Sequence, residues 1–507
     1  MIASTREYKK PYTFLIDKIT LILQQDDNLM PILLLKRRHD HPMKYFTSYF
    51  TLVVTLILNG CSIGPKYVPP STPMPASWGH NVQRVSLVKN EEAWWRNFHD
   101  PVLNDLIEQK AVYSLNLKMA QARVNVARAQ HAVAVAQLLP SLGLTASPPT
   151  GTGFDINQLI ALSGSLDPDF FGKHRQMKQM AKANLQAEQA ELDFSLINLY
   201  SEIASSYLEL REAQARNTVL LNSISGNKQT LQFIKSLHKA GYASYLNISQ
   251  QDGLIETQAA QLEQNKAYIT GLLHKIELLT GNNPGVLAKK LLPPKPIPQI
   301  TQNINLGIPA ELLRRRPDIR AAERRIATSH ANIRVAMSNL LPQITVGWLL
   351  GWQTQTIAGS IITARNFFTV QDPESRFFGT FGAPLFNVGL FNSIELRKRE
   401  KVIAVIQYQI AVMRALHEVE TQYDFFQHYK KSLSHLKRAV EQKRLALKLA
   451  RAAYHKASTD FNTVLRAEEE LNSIEFAYLQ NIVRLQTAQI NLYKALGGNV
   501  VPPREQK

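Results

Sequence analysis

The chain has one cysteine, Cys61, in 507 residues, which excludes an intrachain disulfide framework and a cysteine-rich zinc site. Acidic residues are scarce beside basic ones: 40 Asp and Glu against 58 Lys and Arg leave a formal charge of +18. That imbalance points to nucleic acid, anionic lipid or an acidic partner without choosing among them. No run of 18 or more apolar residues occurs, which argues against a membrane-spanning helix. A Gly-rich phosphate loop, an HExxH pair and clustered His, Cys and Asp ligands are also missing, so no catalytic, metal or cofactor site can be assembled. The chain reads as a non-enzyme that needs no cofactor. Helix breakers are missing over two long stretches: 173–239 contains only Gly226, and 390–456 contains neither proline nor glycine.

The most organised stretch runs from Pro309 to Thr345. Ile319, Ala322, Ile326, Ile333 and Met337 recur at helical steps, while Arg320, Glu323, Arg324 and Arg334 take other faces. After Pro342 the apolar residues fall at every second position, Ile344, Val346, Trp348, Leu350 and Trp352, interleaved with Thr345, Gly347, Gly351 and Gln353. A helix therefore hands over to a strand with one apolar face. The same unit occurs earlier: Asn116 matches Asp318, Ala120 matches Ala322, and Pro140 matches Pro342, each 202 positions apart (318 − 116). Further on, Leu279 and Leu496 lie 217 apart (496 − 279), as do Gly281 and Gly498. The chain is a tandem duplication, and domain counting from length gives way to two copies of one unit.

Each copy offers two strands. Leu142 and Leu144 alternate with Gly143 and Thr145, then Ile160, Leu162 and Leu166 with Ala161, Ser163 and Ser165. The second copy offers Ile344 to Gln353, then Phe377, Phe381, Ala383 and Leu385 alternating with Thr380 and Gly382. Apolar and small polar residues alternating in this way describe strands with lipid on one side and water on the other. Four strands with two free edges cannot stand in lipid, so copies must pool them; three give 3 × 4 = 12 strands, and a dimer is also permitted. A soluble sheet resting on the helices is the alternative. Pro148-Pro149 is expected to cut the first strand to about six residues.

The breaker-free stretches predict helices, Lys173 to Lys239 reaching about 100 Å at 1.5 Å per residue. Each is followed by a second helix, Leu246 to Leu279 and Phe461 to Leu496. Helices of this length need partners along their whole extent, within each hairpin and between subunits. Between Lys430 and Lys456 there are nine Lys or Arg and one acid, Glu441, while the returning helix carries Glu468, Glu469, Glu470 and Glu475. Antiparallel pairing would set these charges face to face; an anion-selecting band is the other reading. The run RRRPDIRAAERR could be a nucleic-acid patch, but Asp318 and Glu323 interrupt it.

Near the N-terminus, Met43-Lys44 precedes an apolar run from Tyr45 to Leu58 and then Leu58-Asn59-Gly60-Cys61. This resembles the leader and lipobox of bacterial lipoproteins, which makes Cys61 the lipid anchor; the alternative is an ordinary buried thiol. Translation is then expected to start at Met43, and Ser62 resembles lipoproteins sent to the outer membrane. The proline-dense segment from Gly64 to Pro75 is expected to be an extended tether. The expected division is 1–42 extension, 43–60 signal peptide, 61–98 anchor and tether, 99–290 first repeat, 291–308 linker, 309–499 second repeat and 500–507 tail. Within the repeats, β-hairpins fall at about 140–171 and 342–387, and helical-hairpin tips at about 239–246 and 456–463.

CSIGPKYVPP, WWRNF with DPVLNDLI, RRPDIRAAERR and the late LYKALGG, in this order over a duplicated chain, resemble the TolC family of outer-membrane factors, in its NodT- and OprM-like lipoprotein branch. The resemblance implies a mainly α fold with membrane β: a homotrimer whose 12-stranded barrel continues as an α-helical tube through the periplasm of a Gram-negative bacterium. It implies a passive efflux conduit for drugs or other small toxic compounds, driven by an inner-membrane RND-type transporter through a periplasmic adaptor, with no nucleic acid involved. Type I protein secretion, or a periplasmic coiled-coil scaffold with no pore, are the alternatives. By resemblance, Gly241, Tyr242, Ala457, Ser458 and Asp460 form adaptor-contacting tips, with Ala457 where the family's glycine stands in the first tip. Asn462 and Arg466 line the constriction, Arg466 standing where the family carries an aspartate; the other reading pairs Arg466 with Glu469 or Glu470. His238 and His455 are expected at like places in the two tips, as solvated histidines or as a pH sensor. Ile344, Val346, Trp348, Leu350 and Trp352 are the expected lipid-facing strand residues.

Overall fold

The computed structural model describes residues 67–498, apart from 72, 76–77, 80–92, 151–155, 301–308, 358–359, 363–373 and 457; the side chains of 147–150, 156–159, 311, 352–357, 360–362 and 374–376 are outside the description as well. Cys61, its leader and the tail 500–507 therefore lie outside the described residues, as does Ala457. Among the described residues six helices of more than twenty residues carry the fold: α1 (Leu115–Ala136), α2 (Lys173–Lys239), α3 (Tyr245–Leu279), α4 (Pro317–Ser338), α5 (Val388–His455) and α6 (Phe461–Ala495). Between α1 and α2 lie β1 (Ser141–Thr150) and β2 (Ile156–Leu166); between α4 and α5 lie β3 (Gln343–Ile357), β4 (Ser360–Ile362) and β5 (Glu374–Gly382).

The duplication is metrically strict. α1 and α4 start and end 202 positions apart (317 − 115), and α3 and α6 start and end 216 apart (461 − 245). The second spacing corrects the expected 217, because the residues that close the helices set the register. Gly281 and Gly497 both have positive φ and follow the last turn, with Asn282 N–H donating to Glu277 C=O and Gly498 N–H to Tyr493 C=O. Only glycine enters that left-handed region without strain, so Gly497, not Gly498, is the counterpart of Gly281. In the same way Tyr242 N–H closes α2 on Leu237 C=O and Ser458 N–H closes α5 on Ala453 C=O. His238 is thus matched by Tyr454, and His455 by Lys239, so the two histidines do not occupy like places.

Three further differences have physical causes. β1 runs ten residues rather than six, but its register with β2 is regular only from Ser141 to Ser147 and shifts before Thr150. Pro148 and Pro149 have no N–H to give the ladder, so they disturb pairing without ending the strand. A fifth strand, β4, is a three-residue piece pairing with the far end of β3. Arg334, expected on a polar face, is buried, because α4 is packed between α2 and α5 and has little free face.

Two of the five hydrophobic clusters among the described residues are the largest. In one, Trp94, Trp95 and Phe98 of the WWRNF turn are buried with Tyr200, Ile203 and Tyr207 of α2, and Trp94 stacks on Tyr493 of α6. Asp100 receives the Val102 N–H at 2.7 Å as an N-cap and the Tyr207 hydroxyl at 2.7 Å, which explains the DPV sequence. The other core gathers Ile319 and Ile326 of α4 with Tyr408, Val412, Ala415 and Val419 of α5. The expected tether belongs to it: Trp78 is buried there, the Tyr67 hydroxyl donates to Glu323 Oε1 at 2.5 Å, and Gly79 N–H donates to Glu420 at 2.7 Å.

The RRRPDIRAAERR run spends its charge internally. Arg316, 2% exposed, forms a fork with both oxygens of Asp318 and reaches Glu418 of α5 and the Ala495 carbonyl at the end of α6. Burial pulls the Arg316 guanidinium down, but hydrogen bonding and charge pairing with Asp318 and then Glu418 outweigh it and raise it above its ordinary value. Arg320 and Arg325 pair with Asp193 and Glu191 of α2. A nucleic-acid patch is thereby excluded as the reason for this run.

Arg316→Ala is expected to lower the stability of the folded chain by about 3 kcal/mol, since it strands two carboxylates that one guanidinium now joins. Arg316→Lys should recover little, lacking the fork; thermal unfolding of the detergent-purified protein checks both. Gly351→Val is expected to block pairing of β2 with β3, because a Cβ there would meet the Ile160 carbonyl oxygen at 2.2 Å, whereas Gly143→Ala should be tolerated with Ser163 Oγ at 3.5 Å. Heat-modifiable migration on gels distinguishes the two.

Candidate functional site

Two regions hold the expected functional residues: the sheet and the tips of the helical hairpins. The sheet order is β1-β2-β3-β5, all antiparallel, with β4 beside β5 on the same edge of β3. The register places one face together across all four long strands: Leu142 and Leu144 of β1 beside Gly164 and Leu162 of β2, beside Trp348 and Leu350 of β3, with Phe377 of β5 beside Trp348. Ile344 with Phe381, and Val346 with Leu166, complete it. The apolar alternation within the strands falls on a single face, as period-2 patterns do when the register is right, whereas Ala383 and Leu385, expected to continue it, lie beyond the end of β5 at Gly382.

That face is open to its surroundings. Leu144 is 75% exposed, Phe377 81% and Phe381 71%. Trp348 lies across Gly164, where a Cβ would stand 2.2 Å from the indole; the glycine makes room for the ring. The side chain of Trp352 is outside the described residues. The opposite face carries Ser141, Ser163, Ser165 and Thr145, with Ser141 Oγ and Ser165 Oγ 2.7 Å apart and Thr145 Oγ1 donating to Ser163 Oγ at 2.8 Å. Sequence reading missed Phe378, which shares this polar face and covers Gly347; the alternation of Phe377 and Phe381 hides it, since it belongs to the other parity. Among the described residues β1 pairs only with β2 and β5 only with β3, which leaves the outer edge of each without a partner there.

At the tips, Gly241 turns with φ 83° after α2, and Tyr242 beside it is 83% exposed. His238 Nδ1 lies 2.7 Å from the Ala243 carbonyl, and His455 packs against the Phe233 ring. Ser458 Oγ donates to Ala453 C=O at 2.9 Å, and Asp460 caps α6 by accepting from Thr463 N–H at 2.9 Å. Hydrogen bonding from Thr463 holds the Asp460 carboxyl below its usual range. Asn462 faces the first hairpin, accepting from Gln250 at 3.4 Å. Arg466 is exposed and pairs with neither Glu469 nor Glu470; Glu470 is taken by Lys443 at 2.6 Å. The two predicted constriction residues therefore sit one turn apart on α6 with different surroundings.

The expected charge pairing along the second hairpin is present. Arg451 meets Glu468, Lys443 meets Glu470 and Arg444 meets Glu475. Among the described residues, no three His, Cys, Asp or Glu side chains group to hold a metal ion. Among the described residues one helix, α5, is long and apolar enough to cross a membrane by length and composition, with mean hydropathy 1.2 over an 18-residue window. Its apolar residues form two stripes: Tyr408, Val412, Ala415 and Val419 are buried, while Ile403, Ile406, Ile410 and Met413 are exposed.

Comparison with known proteins agrees with this geometry. The profile of the family described as outer membrane efflux protein matches residues 106–282 and 308–498, one segment for each repeat. Nodulation protein T of Rhizobium leguminosarum bv. trifolii is 28% identical over 444 residues, 84% of this chain and 92% of its own length. The toluene efflux pump outer membrane protein TtgF of Pseudomonas putida is 27% identical over 89% of this chain and 97% of its own. Among solved structures, the outer-membrane channel OprN superposes with a TM-score of 0.78 at 29% identity, covering 86% of this chain and 99% of that one. With nearly three quarters of its length matched by that profile, and both repeats included, the chain belongs to the outer membrane efflux protein family and is an efflux channel of the Gram-negative outer membrane.

Proposed function

We propose that three copies of this chain share one 12-stranded barrel in the outer membrane and form a passive conduit for small toxic compounds, fed by an inner-membrane transporter through a periplasmic adaptor, without enzymatic chemistry. One observation carries this reading: a sheet of four long strands and the short β4 with a single exposed apolar face and, among the described residues, no partner on the outer edges of β1 and β5. In hydrocarbon each unpaired backbone group costs several kcal/mol, so β5 of one copy must pair with β1 of the next until the ring closes. The apolar face, with Ile344, Val346, Trp348, Leu350 and Trp352 in β3, then meets lipid, and the serine- and threonine-bearing face meets water.

The repeat also supports an interface for the helices. α4 is packed on both sides, by α2 and by α5, whereas its counterpart α1 packs on α2. Ala321, Ala331 and Ser338 of α4 are buried, but their equivalents Met119, Ala129 and Ala136 of α1 are exposed. What α2 supplies to α4, the exposed stripe of a neighbouring copy's α5 supplies to α1. The alanines allow the close approach that such packing needs.

Cys61 is the lipid anchor in this reading. Tyr67 packs 5.7 Å from His330, eight residues (338 − 330) before the end of α4, or about 12 Å of helix. Six residues of chain from Tyr67 reach at most about 20 Å, enough to bring Cys61 level with the start of the sheet. At the other end, Gly241, Tyr242, Ala457, Ser458 and Asp460 form the surface offered to the adaptor. Asn462 and Arg466 line the constriction.

Arg324 reaches Gln186 at 3.2 Å between α4 and α2. Shifted by the two repeat spacings (324 − 202 and 186 + 216), this contact becomes Ala122 of one copy with Val402 of the next. Ala122→Cys with Val402→Cys is expected to give covalent dimers and trimers on oxidation, seen on non-reducing gels; chains that stay single under every condition would refute the trimer. In planar bilayers the purified protein should conduct, and Arg466→Asp should shift selectivity toward cations, since three arginines repel them and three carboxylates attract them. A non-conducting trimer would overturn the channel reading, and unchanged selectivity would remove Arg466 from the constriction.

A further inference from the structure

The two helical hairpins of one chain are fastened by a buried polar clasp. Glu468 of α6, 2% exposed, receives the Arg451 guanidinium of α5 at 2.7 Å. In the amide orientation that satisfies its neighbours, Asn227 of α2 donates to the same carboxylate at 2.8 Å, and its oxygen accepts from Gln258 of α3. One turn further along this α2–α6 seam, Asn472 donates to Ser223 at 2.9 Å. The clasp thus joins all four helices of the two hairpins.

Shifting it by 216 positions reveals a second acid and base at the same places. Glu468 becomes Asp252 on α3 and Arg451 becomes Lys235 on α2, seventeen residues apart in both hairpins (468 − 451 and 252 − 235). Asn227 becomes Lys443 on α5. Within the chain, Glu468 is covered because α2 lies against α6. Lys235 and Asp252 are exposed, and the Lys443 side chain is 43% exposed while it holds Glu470. The chain repeats the clasp but supplies its fourth wall only once.

We propose that Lys443 of each copy pairs with Asp252 of the neighbouring copy, so that α5 of one chain and α3 of the next form the second kind of seam in the helical tube. The assignment rests on the trimeric reading above and deepens it. In place of the neutral amide at the inner seam stands a cation, flanked by Glu470 on its own hairpin and facing a carboxylate that Lys235 flanks in turn. Charges near a surface are screened by salt, so the seam between copies is the weaker of the two and loosens as ionic strength rises.

Two experiments on the full chain test this. Asp252→Cys with Lys443→Cys should yield covalent dimers and trimers on oxidation, and neither single variant should. If Ala122→Cys with Val402→Cys links the copies and the 252/443 pair does not, the seam is wrong and the trimer stands. If neither pair links, the trimeric reading fails and takes the seam with it. On detergent gels run without heating, Asp252→Lys should make the trimer fall apart at lower salt than the parent protein. Adding Lys443→Asp should restore the parent's salt resistance; a double variant as salt-sensitive as the single one overturns the pairing.

Discussion

Unpaired backbone on the outer edges of β1 and β5 is the constraint from which the rest follows. In water such edges are tolerated and merely invite association; in hydrocarbon they must be paired. The sheet presents Leu144, Phe377 and Phe381 along one exposed face, which marks the solvent for which it is built. A chain with this sheet is unfinished by itself. Its long helices share the condition, since α1 and the Ile403–Met413 stripe of α5 expose apolar surface along their length.

Duplication turns this incompleteness into a rule of assembly. In the proposed trimer, a contact between the first and second repeat of a chain is expected to recur between the second repeat of one copy and the first of the next, displaced by 202 or 216 positions. The difference of 14 (216 − 202) is the extra length of the second β-hairpin, accommodated between strands, so the helices on both sides stay in register. Sequence divergence between the repeats then distinguishes the two kinds of interface. Buried Ala321 has exposed Met119 as its counterpart, and the buried amide Asn227 has the charged Lys443.

Arg316 draws together the start of α4, the middle of α5 and the end of α6, three points far apart in sequence. Tyr67, Trp78 and Gly79 lay the N-terminal segment over α4 and α5, so the expected tether is part of the folded body over those residues.

The sequence by itself determined the repeat, the long helices and the apolar face of the strands. Periodicity and the lack of proline and glycine are local properties, which one stretch of chain displays without its neighbours. For the basic row of α5 the sequence offered two readings, and the structure selected pairing with Glu468 and Glu470. Tertiary structure decided the rest. The one-residue register of the second repeat depends on which glycine takes a left-handed turn, and Gly497 and Gly498 look alike in sequence. The partners of Arg316, the burial of Arg334 between two helices, and the placing of Phe378 on the water-facing side depend on elements brought together from distant positions, which no local pattern records.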